Sequence, residues 1–144
     1  MKRIFTKRFF GNVEATGTFP LVTTERADLQ EEDIEVIGAE ISLACTQRSQ
    51  NDGDSSCMLE VSQTSTIRQQ GCFLTGTAIE GWNTTPAGIE RNTANVAVMF
   101  PDGFAVPIRE EGNIYINASA WGKSAGTSTY GYDVTIFYTK KGSK

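Results

Sequence analysis

From Ile37 to Thr46 the residue types alternate almost one for one: Ile37, Ala39, Ile41, Leu43 and Cys45 interleave with Gly38, Glu40, Ser42, Ala44 and Thr46. Successive side chains of a β-strand point to opposite faces, so this period of two puts the large apolar residues on one side and reads as a half-buried strand. The pattern returns where Cys57, Leu59 and Val61 alternate with Met58, Glu60 and Ser62, and in a long final strand, Tyr132 to Lys140, where Val134, Ile136 and Tyr138 share a face. Between the first two strands lies the turn cluster Ser49-Gln50-Asn51-Asp52-Gly53-Asp54-Ser55, whose Asp-Gly pair favours a hairpin.

Further strands are expected over Val13 to Thr23, Cys72 to Trp82, Asn95 to Phe100, Phe104 to Ile108 and Asn113 to Ala118. Pro101-Asp102-Gly103 supplies a turn, since proline presets φ and glycine tolerates positive φ. Only Asp28-Leu29-Gln30-Glu31 has the form of a helix capping box, and strand-like Ile34-Glu35-Val36-Ile37 follows too soon for more than a short helix or an acidic loop. About eight strands in one chain of 144 residues predict an all-β fold, an antiparallel β-sandwich of jelly-roll type. The expected organisation is residues 1–12 as a basic N-terminal arm or edge strand, and residues 13–144 as a single sandwich domain with a short basic C-terminal tail.

Composition narrows the function. With 39% hydrophobic and 21% charged residues the chain can build a core without disulfide staples. No apolar run approaches the ~20 residues of a membrane helix, and Lys7 and Arg8 interrupt the only segment that starts like a signal peptide. No membrane association is expected. Three cysteines, Cys45, Cys57 and Cys72, cannot all pair, and they read as buried small hydrophobes, with a Cys45–Cys57 bond as the lesser alternative. Histidine is absent, which removes the commonest general base and metal ligand. The cysteines lack C-x-x-C spacing, so neither catalytic residues, nor a metal site, nor a cofactor is expected.

Several fragments imitate functional motifs. Gly122-Lys123-Ser124 ends like a phosphate loop, but Asn117 stands where that loop needs glycine. Asp52-Gly53-Asp54 lacks the spaced ligands of a calcium loop, and the neighbours Glu110 and Glu111 would face opposite sides of a strand rather than flank one sugar. The sequons at Asn83 and Asn117 are read as incidental.

Charge is divided more sharply than the net of -4 suggests. Lys2, Arg3, Lys7 and Arg8 open the chain, and Lys140, Lys141 and Lys144 close it, seven of the 13 basic residues. Residues 9–139 then hold six bases against all 17 acids, a net of -11. Basic ends on an acidic body can guide association, or can merely keep exposed ends soluble. Phe9 and Phe10 beside the basic end suit a docking segment, or simply start the first strand. Trp82, Trp121, Tyr130 and Tyr132 lie near strand ends, where aromatics can stack on sugars or cover the core.

The Thr/Gly/Asn-rich β body, the lack of histidine and the terminal strand Tyr132-Asp133-Val134-Thr135-Ile136-Phe137-Tyr138 resemble the head decoration or cement proteins of tailed phages. The resemblance spans most of the chain and contains no diagnostic motif. It implies a virion location, assembly in the host cytoplasm, a homotrimer, and capsid protein subunits as partners. Lys2, Arg3, Lys7, Arg8, Phe9, Phe10, Lys140 and Lys141 are the candidate docking residues. A carbohydrate- or receptor-binding sandwich, using Trp82, Trp121, Tyr130 and Tyr132, is the alternative. A small jelly-roll coat protein with a nucleic-acid-contacting arm ranks last, because four bases make a thin arm and the acidic body opposes binding.

Overall fold

A computed structural model describes residues 3–16, 21–27, 34–47, 55–63, 72–82, 89–101, 104–108, 114–122 and 127–140. These contain ten strands: β1 (Phe5–Thr16), β2 (Leu21–Ala27), β3 (Ile34–Gln47), β4 (Ser55–Ser62), β5 (Cys72–Trp82), β6 (Ile89–Asn92), β7 (Ala94–Met99), β8 (Val106–Ile108), β9 (Ile114–Gly122) and β10 (Thr127–Lys140). One sheet has the order β1-β10-β3-β7, with β8 also on β3; the other has β2-β9-β4-β5-β6. All pairings are antiparallel.

Only Thr93 separates β6 from β7, although the two belong to different sheets. Counting them as one strand that crosses over, and setting three-residue β8 aside, leaves eight. First then pairs with last, second with seventh, third with sixth and fourth with fifth. That nesting is one long hairpin rolled up on itself, with β10 meeting β3 and β9 meeting β4 to complete each sheet. The protein is a jelly roll.

Alternation builds the core between the sheets. Ala39, Ile41 and Leu43 of β3, Cys57, Leu59 and Val61 of β4, Ile116, Ala118 and Ala120 of β9, and Val134 and Ile136 of β10 are all buried. Gly76 of β5 packs directly against the opposite sheet: a Cβ there would lie 3.2 Å from the Ala94 methyl and 3.3 Å from Val96. A buried hydrogen bond ties the layers together, 2.7 Å between the hydroxyls of Ser55 on β4 and Tyr130 on β10.

Three local expectations are corrected. The segments Ile37–Cys45 and Cys57–Val61 are strands but not a hairpin: they belong to opposite sheets, so the chain between them changes layer. Asp-Gly marks a reversal of direction and does not specify which strand the returning chain joins. The expected strand Val13–Thr23 is the end of β1 and the start of β2. The last strand begins at Thr127 rather than Tyr132, since its Ser/Thr/Gly start is paired on both sides, by β1 and β3. Gly131 serves that close packing, as a Cβ there would come within 2.8 Å of the Thr46 methyl group. Cys45 and Cys57 are free thiols. Burial pushes the Cys57 thiol up to about 12, which suppresses its thiolate. The capping-box segment Asp28–Glu31, the Asp52–Asp54 triplet, Lys123-Ser124, Glu110-Glu111 and the sequon at Asn83 lie outside the described residues.

Candidate functional site

The register of β1 on β10 decides where the chain ends meet. Phe5 pairs with Tyr138 and Thr16 with Thr127, so the start of β1 lies beside the end of β10. Arg3, Lys7, Arg8 and Lys140, far apart in sequence, therefore flank one end of the β1–β10 pair. The Phe5 ring is the centre of this corner. It stacks on Tyr138 with centroids 5.7 Å apart; the Arg3 guanidinium lies 5.2 Å from its centroid and the Lys140 ammonium 4.5 Å. Both distances are within cation–π range, so one aromatic ring helps gather cations from the two ends of the chain.

Arg8 is differently employed. Its Nε donates to both carboxylate oxygens of Asp133, at 2.8 and 2.9 Å, and Nη2 donates to Oδ2. The two side chains are diagonal neighbours on the outer face, because Arg8 pairs with Thr135 and Phe10 with Asp133. The hydrogen bonds from Arg8 hold the Asp133 carboxyl below its ordinary value and raise the guanidinium further. The Arg8 guanidinium also lies 5.6 Å from the Phe10 ring centroid. Arg8 is thus half of an ion pair, and the positive character of the corner comes from Arg3, Lys7 and Lys140.

Period two separates Phe9 from Phe10. Phe9 is half-buried and packs against the core, whereas Phe10 is 73% exposed; they do not form a joint apolar tip. Lys7 and Lys140 are half-buried, Arg3 is exposed, and Lys2 and Lys141 lie outside the described residues.

The four aromatics of the sugar-binding alternative are not brought together. Tyr130 has 0% exposure and its hydroxyl is bonded to Ser55, so a ring read as a stacking surface is a core residue. Its even position in β10 places it inward with Val134 and Ile136. Trp121 is half-buried in the other sheet, on β9. Trp82 ends β5, and its side chain is outside the described set. Tyr132 is half-buried and lines a shallow depression of about 310 Å³ on the first sheet, bordered by Arg8, Phe10, Asn12, Ser42 and Asp133.

Sequence reasoning missed the Arg8–Asp133 pair and the exposed Met99 and Phe104 (54% and 71%). The charge of Arg8 was visible; its partner is 125 residues away, and only the strand register makes them neighbours. Among the described residues no group of three or more Cys, Asp or Glu is placed to hold a metal ion.

No protein-family model matches the chain, and no curated protein does. Solved structures resemble it along nearly its whole length. A Bacillus endospore appendage protein, of a family of disulfide-linked pili, has 16% identity and a TM-score of 0.47 over 98% of this chain and 92% of its own. The Desmodium yellow mottle tymovirus structure has 6% identity and a TM-score of 0.45, over 97% and 89%. The decameric BFDV capsid protein has 14% identity and a TM-score of 0.42, over 94% and 98%. At these values the likenesses carry no inference of kinship or role.

Proposed function

We propose that this chain is a structural protein of a virus or phage particle, which decorates or cements a capsid by binding its subunits non-covalently through the basic corner. The observation that carries the proposal is the meeting of the two chain ends at Phe5, where Arg3 and Lys140 share one ring. Arg3, Lys7 and Lys140 at one end of the first sheet, in a chain whose residues 9–139 carry a net of -11, make a polarised molecule. Such a molecule is steered onto an acidic surface and oriented as it arrives. The jelly roll supplies a rigid block with a two-layer core, and docking needs no deep pocket. A homotrimer would multiply a weak corner contact into avidity.

Co-sedimentation of the full chain with capsids stripped of it tests the reading. Wild type should bind in low salt and progressively less as salt screens the corner over about 10 Å at 0.1 M. The double charge reversal Arg3→Glu/Lys140→Glu should abolish binding without lowering thermal stability. Undiminished binding by that variant would overturn the proposal.

A sugar-binding role keeps one supporting observation, the depression at Tyr132, where Phe10 and the Arg8–Asp133 pair combine an aromatic face with hydrogen-bonding groups. Glycan-array binding that is lost in Asp133→Ala would favour it over the corner.

A further inference from the structure

Both edges of the first sheet are without a further strand among the described residues. Among the described residues β1 pairs only with β10, and β7 only with β3. A free strand edge is a row of unmet donors and acceptors, and soluble proteins usually blunt it. Here β8 carries Pro107, which cannot donate to a further strand, but six-residue β7 and twelve-residue β1 contain no proline.

Exposed apolar side chains mark the same two edges. Ile4 (54%) and Phe10 (73%) belong to the β1 side, Met99 (54%) and Phe104 (71%) to the β7 side. Phe10 and Met99 also face the same way. Phe10 alternates with the buried inward residues of β1, and Met99 alternates with half-buried Val98 and Val96. Both therefore lie on the outer surface of the sheet.

Strand direction gives an independent constraint. Each of the three pairings β1–β10, β10–β3 and β3–β7 is antiparallel, so β1 and β7 run in opposite directions. A second copy laid alongside in the same orientation brings its β1 against β7 as an antiparallel pair, with no inversion of the molecule. Charge agrees with this arrangement. Residues 3–13 carry Arg3, Lys7 and Arg8 and no acid, while residues 93–108 carry Asp102 and no base. Exposed Glu40 of β3 is directly opposite Ala97 of β7. Lys7, by its odd position, is an inward charge on an edge strand. Such a residue disfavours indiscriminate strand addition at that edge.

We infer that copies of this chain associate head to tail, the β1 edge of one adding to the β7 edge of the next, with Phe10 and Met99 both on the outer face of the contact. The contact is heterologous, so copies close into a ring if the rotation per step permits and otherwise extend as a filament. A trimer is one such ring. The inference shares Arg3, Lys7 and Arg8 with the basic corner but rests on the strand edges, Phe10 and Met99, so either reading can fail without the other.

Two substitutions at exposed positions test it, Phe10→Glu and Met99→Glu, in the full chain. Light scattering behind size exclusion, over a series reaching about 1 mM, the weak end of ordinary affinities, should show wild type as a ring or longer oligomer and each variant alone as a monomer. A mixture of the two variants should form a 1:1 dimer and nothing larger, because one retains an intact β7 edge and the other an intact β1 edge. Wild-type-like far-ultraviolet circular dichroism and a cooperative melt confirm that both variants are folded; a lower Tm is expected from the loss of association. Monomeric wild type throughout, or oligomers that persist in both single variants, would overturn the inference. A Met99→Glu protein that still dimerises would show a symmetric β1–β1 contact instead, which equally overturns it.

Discussion

The Ser55–Tyr130 hydrogen bond is a buried polar tie between the two layers, and its removal has a calculable signature. Tyr130→Phe deletes one hydroxyl and leaves the Ser55 oxygen buried at 3% residue exposure. A buried polar group stripped of its partner costs about 1–3 kcal/mol, more than the bond's net contribution of about 1 kcal/mol. For a chain of 144 residues that corresponds to a fall in Tm of roughly 3–12 °C. Ser55→Ala should cost a similar amount by removing the partner of the Tyr130 hydroxyl on β4. The double variant removes both groups and should lie closer to wild type than the two losses summed, with a coupling of about 0.5–3 kcal/mol. Denaturant melts of the four proteins, with equal m-values, measure the cycle. Strictly additive losses would refute the reasoning, because they would mean that the hydroxyls are independently solvated. Tyr130→Phe melting as wild type would refute it too.

Four further outcomes follow. In Asp133 the hydrogen bonds from Arg8 lower the folded-state pKa from 3.8, so the pair's stabilising contribution is fully present above that value and fades as pH falls through the lower folded value. Carboxyl NMR titration should place Asp133 below 3.8 and move it upward in Arg8→Gln; an unchanged value in that variant would contradict the pairing. Cys57, buried and with its thiol pushed up to about 12, should resist a thiol reagent at pH 8 until the protein unfolds, and rapid labelling by mass spectrometry would contradict its placement. Gly76→Val forces methyl groups against Ala94, Val96 and Ile41 and should cost about 1–3 kcal/mol in a denaturant melt; a neutral result would mean that the sheets are further apart there. Ile41→Ala, at 0% exposure, should cost about 2–5 kcal/mol, and a loss under 1 kcal/mol would remove it from the core.

Much of this fold is legible residue by residue. The alternation over β3, β4 and β10 names the inward side chains before any pairing is known, and Ile41, Leu59 and Val134 all lie in the core. What alternation cannot supply is the partner of each strand. That is why β3 and β4 read as a hairpin across Asp52-Gly53 and belong to different sheets. β6 went unread because Ile89-Glu90-Arg91-Asn92 is four residues with one large apolar member, too short for periodicity to register. At the candidate site, the charges at both chain ends were visible. Their meeting at Phe5 depended on the twelve-residue β1–β10 register, and so did the capture of Arg8 by Asp133. Phe9 and Phe10 show the reverse: period two already dictates that two adjacent residues of a strand face opposite ways.

The most direct test of the docking proposal is a cryo-electron microscopy reconstruction of capsids saturated with the full chain. The account expects the start of β1 and the end of β10, with Arg3, Phe5 and Lys140, to face an acidic patch of the shell. Density in which that corner points to solvent, while the β2-β9-β4-β5-β6 sheet or another surface meets the shell, would contradict it.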